Sequence, residues 1–178
     1  MKKVILYIAM SLDGYIADKN GGVSWLVGEN KDEHTSSYDE FIKTVDTIIM
    51  GQNSYNQITT ELSPNNWVYE GMMTYVMTHR NMISRREIEF TDENVVDLIA
   101  RIRNKAGDDS KDIWLCGGSD VAHQFMEKDL IDRYHITVIP TILGAGIRLF
   151  KKLNYPLLLK HISNESYNGM VDIVYDRR

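Results

Sequence analysis

Cysteine is nearly absent: Cys116 is the single thiol among 178 residues, which excludes an internal disulfide and any multi-cysteine metal site. A reducing, cytoplasmic setting is the expectation that follows. The five histidines show no pair at helical ligand spacing, so no metal is expected. Long apolar runs are missing too. The N-terminal run lasts only from Val4 to Met10 before Ser11-Leu12-Asp13-Gly14. That is too short to span a bilayer, and no small-residue cleavage site follows it. It reads as a first strand, and no membrane partner is expected. An excess of positive charge is also lacking. The net charge of -5 argues against a general nucleic-acid surface while leaving room for a local basic site for a small anion. No repeat, low-complexity tract or linker breaks the chain. What remains is an ordinary composition, 43% hydrophobic and 25% charged, expected to form one domain over residues 1–178 with a real core.

The stretch Ile113-Trp114-Leu115-Cys116-Gly117-Gly118-Ser119-Asp120 organises the rest. A short apolar run stops at two glycines, and Val121, Ala122, Phe125 and Met126 then supply a helical apolar face. A buried strand handing over to a helix leaves free N–H groups beyond its end. Such an end favours anions, and paired glycines let a phosphate approach the backbone; an ordinary tight turn has the same local look.

Val4 to Met10 is apolar without alternation, as in a central strand covered on both faces. Ser37-Tyr38-Asp39-Glu40 has capping-box spacing, and Tyr38, Phe41, Ile42 and Val45 lie on one helical face. Thr47 to Met50 is a second buried strand ending at Gly51, with Gln52-Asn53-Ser54-Tyr55 opening a helix. Thr74 to Thr78 is a third strand, with His79 and Arg80 just past it; Ile88 and Phe90 suggest an edge strand. Thr91 or Asp92 caps a helix carrying Val95, Leu98, Ile99 and Ile102, and Gly107 stops it. Later the period changes. Tyr134, Ile136 and Val138 alternate with His135 and Thr137 in a half-buried strand that Pro140 ends. Leu143 to Ile147 reads as a flexible glycine loop. Leu157 to Ile162 and Met170 to Tyr175 read as strands joined at Asn168-Gly169. The expected fold is α/β: a mixed sheet with helices on its faces and antiparallel strands at its C-terminal edge.

Ala9-Met10-Ser11-Leu12-Asp13-Gly14-Tyr15-Ile16-Ala17, with Asn20-Gly21 and Trp25, resembles the first strand and mobile substrate loop of the dihydrofolate reductase-like superfamily. Ile49 to Tyr55 and Cys116-Gly117-Gly118 resemble its second motif and its diglycine. Leu143 to Phe150 is similar to the C-terminal motif of one branch, the reductase domain of bacterial riboflavin biosynthesis and its stand-alone relatives. The four motifs stand in the right order over nearly the whole chain.

The resemblance implies a mainly parallel, helix-flanked sheet with an antiparallel C-terminal hairpin, binding extended NADPH across its strand ends. By position it implies that the backbone of Ala9 and Ile16 touches the nicotinamide. Gly117, Gly118, Ser119 and Asp120 meet the pyrophosphate, with Gly51, Gln52, Asn53 and Ser54 on its other side. Thr78, His79 and Arg80 surround the ribose and its 2′-phosphate, where an arginine fork suits phosphate chemically. Trp25, Gly144 and Gly146 border the substrate between two loops.

Departures from the pattern are as specific. An acidic residue is expected shortly after the loop tryptophan, where Glu29 stands near and Asn30 roughly in place. Gln52 stands where Arg or Lys is usual, and Cys116 where the riboflavin branch often has glutamate. No deaminase zinc motif is present. Asp13 is the leading acid near the reacting centre, with turn capping before Gly14 as its other reading; Glu29 is a second candidate. Cys116 is expected to pack as a small apolar residue rather than act as a nucleophile. The expected activity is an NADPH-dependent reduction of a small heterocyclic or carbonyl substrate. The alternatives are a true dihydrofolate or riboflavin-pathway pyrimidine reductase, and a nucleotide-binding module without turnover. The resemblance also implies a homodimer.

Overall fold

The computed structural model describes residues 1–30 and 37–178. In chain order the strands are β1 (Val4–Ser11), β2 (Tyr15–Ala17), β3 (Val45–Gly51), β4 (Met73–Met77), β5 (Ile88–Thr91), β6 (Asp112–Gly117), β7 (Arg133–Ile139), β8 (Ile147–Arg148), β9 (Leu159–Tyr167) and β10 (Met170–Arg177). The helices are α1 (Tyr38–Phe41), α2 (Gln52–Gln57), α3 (Val95–Lys105) and α4 (Ser119–Glu127). Among the described residues, eight strands form one sheet in the order β5-β4-β3-β6-β1-β7-β10-β9, and β2 pairs with β8 in a small second sheet. Every pairing from β5 to β7 is parallel, whereas β10 runs antiparallel to both β7 and β9. The mixed, mainly parallel sheet with a C-terminal hairpin is therefore present. At the hairpin turn Asn168 and Gly169 both have positive φ, 46° and 73°, the geometry a two-residue turn between right-twisted strands requires.

β1 is apolar from Val4 to Met10 because both its faces are covered. Val4 and Leu6 belong to a core formed with the apolar faces of α3 and α4, where Leu98, Ile99, Ala122, Phe125 and Met126 are buried. Ile5 belongs to the opposite core with Phe41, Tyr55, Ile58 and Trp114, against which Tyr7 packs. Burial of each such large side chain contributes on the order of 2 kcal/mol. Among the described residues, no helix is long and apolar enough to cross a membrane.

Four local expectations change in the folded chain. Ser37 precedes α1 but makes no side-chain cap bond; its hydroxyl meets the Tyr7 phenol at 2.9 Å instead. The helix lasts four residues, passes into a short 3-10 turn, and gives way at Val45, which opens β3 opposite Asp112. The spacing of apolar residues was helical there, but parallel pairing with β6 outweighs it. The cap of α3 is Asn94 rather than Thr91 or Asp92. Its side chain accepts from the N–H groups of Val96 and Asp97, and Ala106, not Gly107, leaves the helix in an extended conformation. Along β7 the alternation is broken. Thr137 is buried because its hydroxyl donates to Asp172 at 2.6 Å, while Val138 is only half-buried.

Asn94→Ala is expected to lower stability by about 1 kcal/mol through loss of the two cap bonds. A urea midpoint unchanged by the substitution would show that the cap contributes nothing.

Candidate functional site

In a parallel sheet the C-terminal ends of successive strands share one edge, and ligands of such folds collect there. Here the ends of β1, β3, β4, β5 and β6 form that edge, and a cleft of about 1200 Å³ runs along it. Ala9 and Ile16 stand at the β1 end; Gly118, Ser119 and Asp120 follow β6, and Gly51 ends β3 with Gln52, Asn53 and Ser54 after it. Thr78, His79 and Arg80 stand beyond β4. Residues from distant parts of the chain are thus brought into one trough.

Its narrow middle depends on glycine. A Cβ at Gly51 would lie 3.1 Å from Val121 Cγ2 and 3.8 Å from the Gly118 nitrogen, so the two strand ends approach almost backbone to backbone. The Gly117–Gly118 peptide is cis, and Gly118 caps α4 without a side chain. The first-turn N–H groups of α4 have no helical acceptor and carry its positive dipole end. Ser119 turns its hydroxyl away, donating to the Arg148 carbonyl at 2.5 Å, and Asp120 pairs with Lys151. Gln52 donates to Asn56 at 2.7 Å, while its Oε1 is buried with no partner among the described residues.

The charge balance sharpens toward β4. Arg101, near that edge of the sheet, is taken up by Glu89 and Glu93, each at 2.5 Å. Arg80 and His79 form no ion pair among the described residues, and Arg80 is exposed. An unpaired guanidinium and imidazole therefore close the far end. Cys116 lines the cleft as a thiol that burial pushes up to about 12, so it is neither thiolate nor nucleophile at neutral pH.

Other expected residues fall outside the walls of the cleft. Gly117 faces the Ile8 side chain, which a Cβ there would meet at 3.2 Å. Trp25 folds back on its own loop, donating from Nε1 to the Gly22 carbonyl at 3.2 Å, while Val23 and Leu26 face the cleft in its place. Glu29 packs at the β9–β10 turn, where its N–H donates to Asn168 O at 3.0 Å and its side chain fills the space beside Gly169.

Asp13 braces the second loop. Its carboxylate accepts from the Ser11 hydroxyl at 2.6 Å and from the N–H groups of Leu143 and Gly144 at 3.1 and 2.8 Å. The Ser11 bond, helped by those backbone donors, holds the Asp13 carboxyl below the ordinary carboxylate range. The stretch 143–147 is consequently no free loop: β8 pairs with β2, and Gly146 packs against the Ala17 carbonyl. A depressed pKa means that the brace is present above the ordinary aspartate value and is lost as pH falls through the folded one. Amide exchange at Leu143 and Gly144 is expected to quicken in that acid range, and to be fast at neutral pH in Asp13→Ala. Equal protection in the variant would remove the brace.

Sequence reasoning missed Lys19, Gln57, Thr91, Asp92, Asn94 and Ile147, which also line the cleft. The strand-end rule applied to the others would have found Thr91 to Asn94, since β5 is parallel to β4. Ile147 arrives only through the β2–β8 pairing, which has no local signal.

Residues 2–173 match the family described as the RibD C-terminal domain. The chain belongs to that family. This RibD C-terminal domain is 34% identical over 177 residues to YwjB of Bacillus subtilis (strain 168), covering 99% of this chain and 98% of that protein. A Shewanella sp. PV-4 structure, assigned by its name to riboflavin biosynthesis, is 28% identical with a TM-score of 0.86 and covers 99% of both chains. A Thermotoga maritima structure named as a diaminohydroxyphosphoribosylaminopyrimidine deaminase/5-amino-6-(5-phosphoribosylamino)uracil reductase shares the fold at 18% identity and a TM-score of 0.73. It covers 99% of this domain and 57% of that chain.

Proposed function

We propose that this protein is an NADPH-dependent reductase that transfers hydride to a small heterocyclic or carbonyl substrate. The observation that carries the reading is the unpaired Arg80–His79 pair at one end of a long glycine-walled cleft that reaches Ala9 and Ile16 at the other. A dinucleotide phosphate needs that combination: a trough along several strand ends, close backbone approach at its middle, and a cation at the 2′-phosphate.

The residues fit such a cofactor. Gly51 and Gly118 carry no side chain of their own to bar a pyrophosphate, and the first-turn N–H groups of α4 would serve as its donors. The buried, unpartnered Gln52 Oε1 offers an acceptor to a ribose hydroxyl or amide. Arg80 and His79 would hold the 2′-phosphate, and Ala9 and Ile16 would bound the nicotinamide. The cofactor would supply the hydride, and the protein would position the acceptor and exclude water.

Family membership supports a riboflavin-type pyrimidine as the second reading for the substrate. The lone thiol agrees with a reducing cytoplasm as the place of action, and the exposed edge of β9 agrees with pairing of two copies. Fluorescence titration with NADPH and NADH tests the central reading. Saturable binding with NADPH clearly tighter is the expected result, and no binding of either would overturn it. Binding without NADPH oxidation across a panel including dihydrofolate and the ribosylaminopyrimidinone would instead favour a nucleotide-binding module.

A further inference from the structure

Hydride transfer to a carbonyl or imine also requires a proton, and among the described residues lining the cleft none is an acid at the β1 end. The carboxylates lining the cleft, Glu61, Asp92, Glu93 and Asp120, belong to the ends of β3, β5 and β6. One more carboxylate lies on the face that Ala9 occupies. Ala9 pairs with Thr137, and Thr137 pairs with Asp172, so strand alternation sets the three side chains in a row. Asp172, the acceptor of the Thr137 hydroxyl, is 3% exposed.

Its surroundings form a connected set of proton-carrying groups. Asp172 Oδ1 accepts from the Thr137 hydroxyl at 2.6 Å and from the Tyr167 phenol at 3.2 Å. His135 Nε2 lies 3.2 Å from Oδ2. The Tyr167 oxygen stands 3.4 Å from Ser37 Oγ, which is 2.9 Å from the Tyr7 phenol, two residues before Ala9 on the same face. The His135 side chain is 15% exposed against 4% for that of Asp172, and Tyr7, Ser37 and Tyr167 are also only half-buried, so the set reaches solvent. Burial opposes ionisation of Asp172, but the bonds from His135, Ser37 and Thr137 outweigh it and hold the carboxyl below its ordinary range. The titratable groups facing Asp172 among the described residues are His135 from β7, Tyr7 from β1, and Tyr167 with exposed Glu165 from β9.

We propose that Asp172 and His135, acting through the hydroxyls of Thr137, Tyr167, Ser37 and Tyr7, supply the proton that completes reduction of the substrate beside Ala9. The inference rests on the reductase reading above. As hydride adds to the acceptor carbon, the π pair of its C=O or C=N bond moves to the heteroatom. That atom takes a proton from a Tyr7 or Thr137 hydroxyl; Asp172 Oδ1 returns one to the hydroxyls as Oδ2 takes one from His135, and solvent replaces the His135 proton.

The test uses Asp172→Asn, with Tyr7→Phe as a second variant that removes only a hydroxyl. Phenanthrenequinone and dihydrofolate serve as acceptors with NADPH, and the carbon-NMR resonance of the Tyr7 hydroxyl-bearing carbon serves as a readout independent of turnover. The expected result for both variants is unchanged NADPH affinity with reduction about 100-fold slower. The solvent deuterium isotope effect on the rate should change in both variants, and the Tyr7 resonance should move in Asp172→Asn. Unchanged rates and isotope effects in both variants would overturn the relay. So would an unsubstituted protein that binds NADPH but reduces neither acceptor, and that result leaves the cofactor reading standing. Failure to bind NADPH at all would remove both.

Discussion

Arg80→Ala is expected to weaken NADPH binding by about 10- to 100-fold and to leave NADH binding nearly unchanged. The reasoning is electrostatic. A guanidinium bonded to phosphate contributes on the order of 1.5–3 kcal/mol, and each 1.4 kcal/mol is about tenfold in affinity. Exposure of Arg80 places the effect toward the lower half of that range, and rising salt should shrink it further. NADH has no 2′-phosphate, so the selective loss distinguishes a phosphate contact from general damage to the cleft. Titration of the variant with both cofactors decides the matter. NADPH binding as tight as before would remove Arg80 from the site.

Gly146→Ala should be the most damaging single methyl group in the chain's loops. A Cβ there would stand 2.2 Å from the Ala17 carbonyl oxygen, a backbone atom with no freedom to yield, and the residue's φ of 155° already disfavours a side chain. Relief requires β8 to move away from β2. We expect a loss of about 3 kcal/mol in urea denaturation. Weakened NADPH binding should accompany it, because Ile16, Ala17 and Ile147 form part of the same cleft wall. Gly144→Ala is the control. Its φ of 73° is also positive, but no atom lies within 4 Å of the added methyl, so only about 1 kcal/mol of backbone cost is expected. Equal losses in the two variants would contradict the steric account.

Much of the architecture was legible because it is encoded at short range. The uninterrupted apolar run of β1 announced a strand covered on both sides. Val121, Ala122, Phe125 and Met126 announced the buried face of α4, and Asn168-Gly169 announced a turn that few other dipeptides make without strain. The cleft followed from the same information. Gly51, Gly118 and Arg80 each stand just beyond a buried strand, and parallel strands bring such ends together. Misreadings occurred where two local codes compete. From Ser37 to Val45 a helical spacing yields to a strand because Val45 finds a partner in β6. At the start of α3 three consecutive polar residues precede Asn94, and only the fold selects which one caps.

The sequence by itself thus determined most of the element types, the glycine-marked strand ends, and the placement of an arginine past β4. These depend on the residue and its near neighbours. Only the tertiary structure decided that Asp13 braces residues 143–144, that Trp25 and Glu29 turn away from the cleft, and that Asp172 lies in line with Ala9. Each of those outcomes is a pairing between residues far apart in the chain. Spacing along the sequence carries no register for such a pairing; the hydrogen bonds and close packing of the folded sheet supply it.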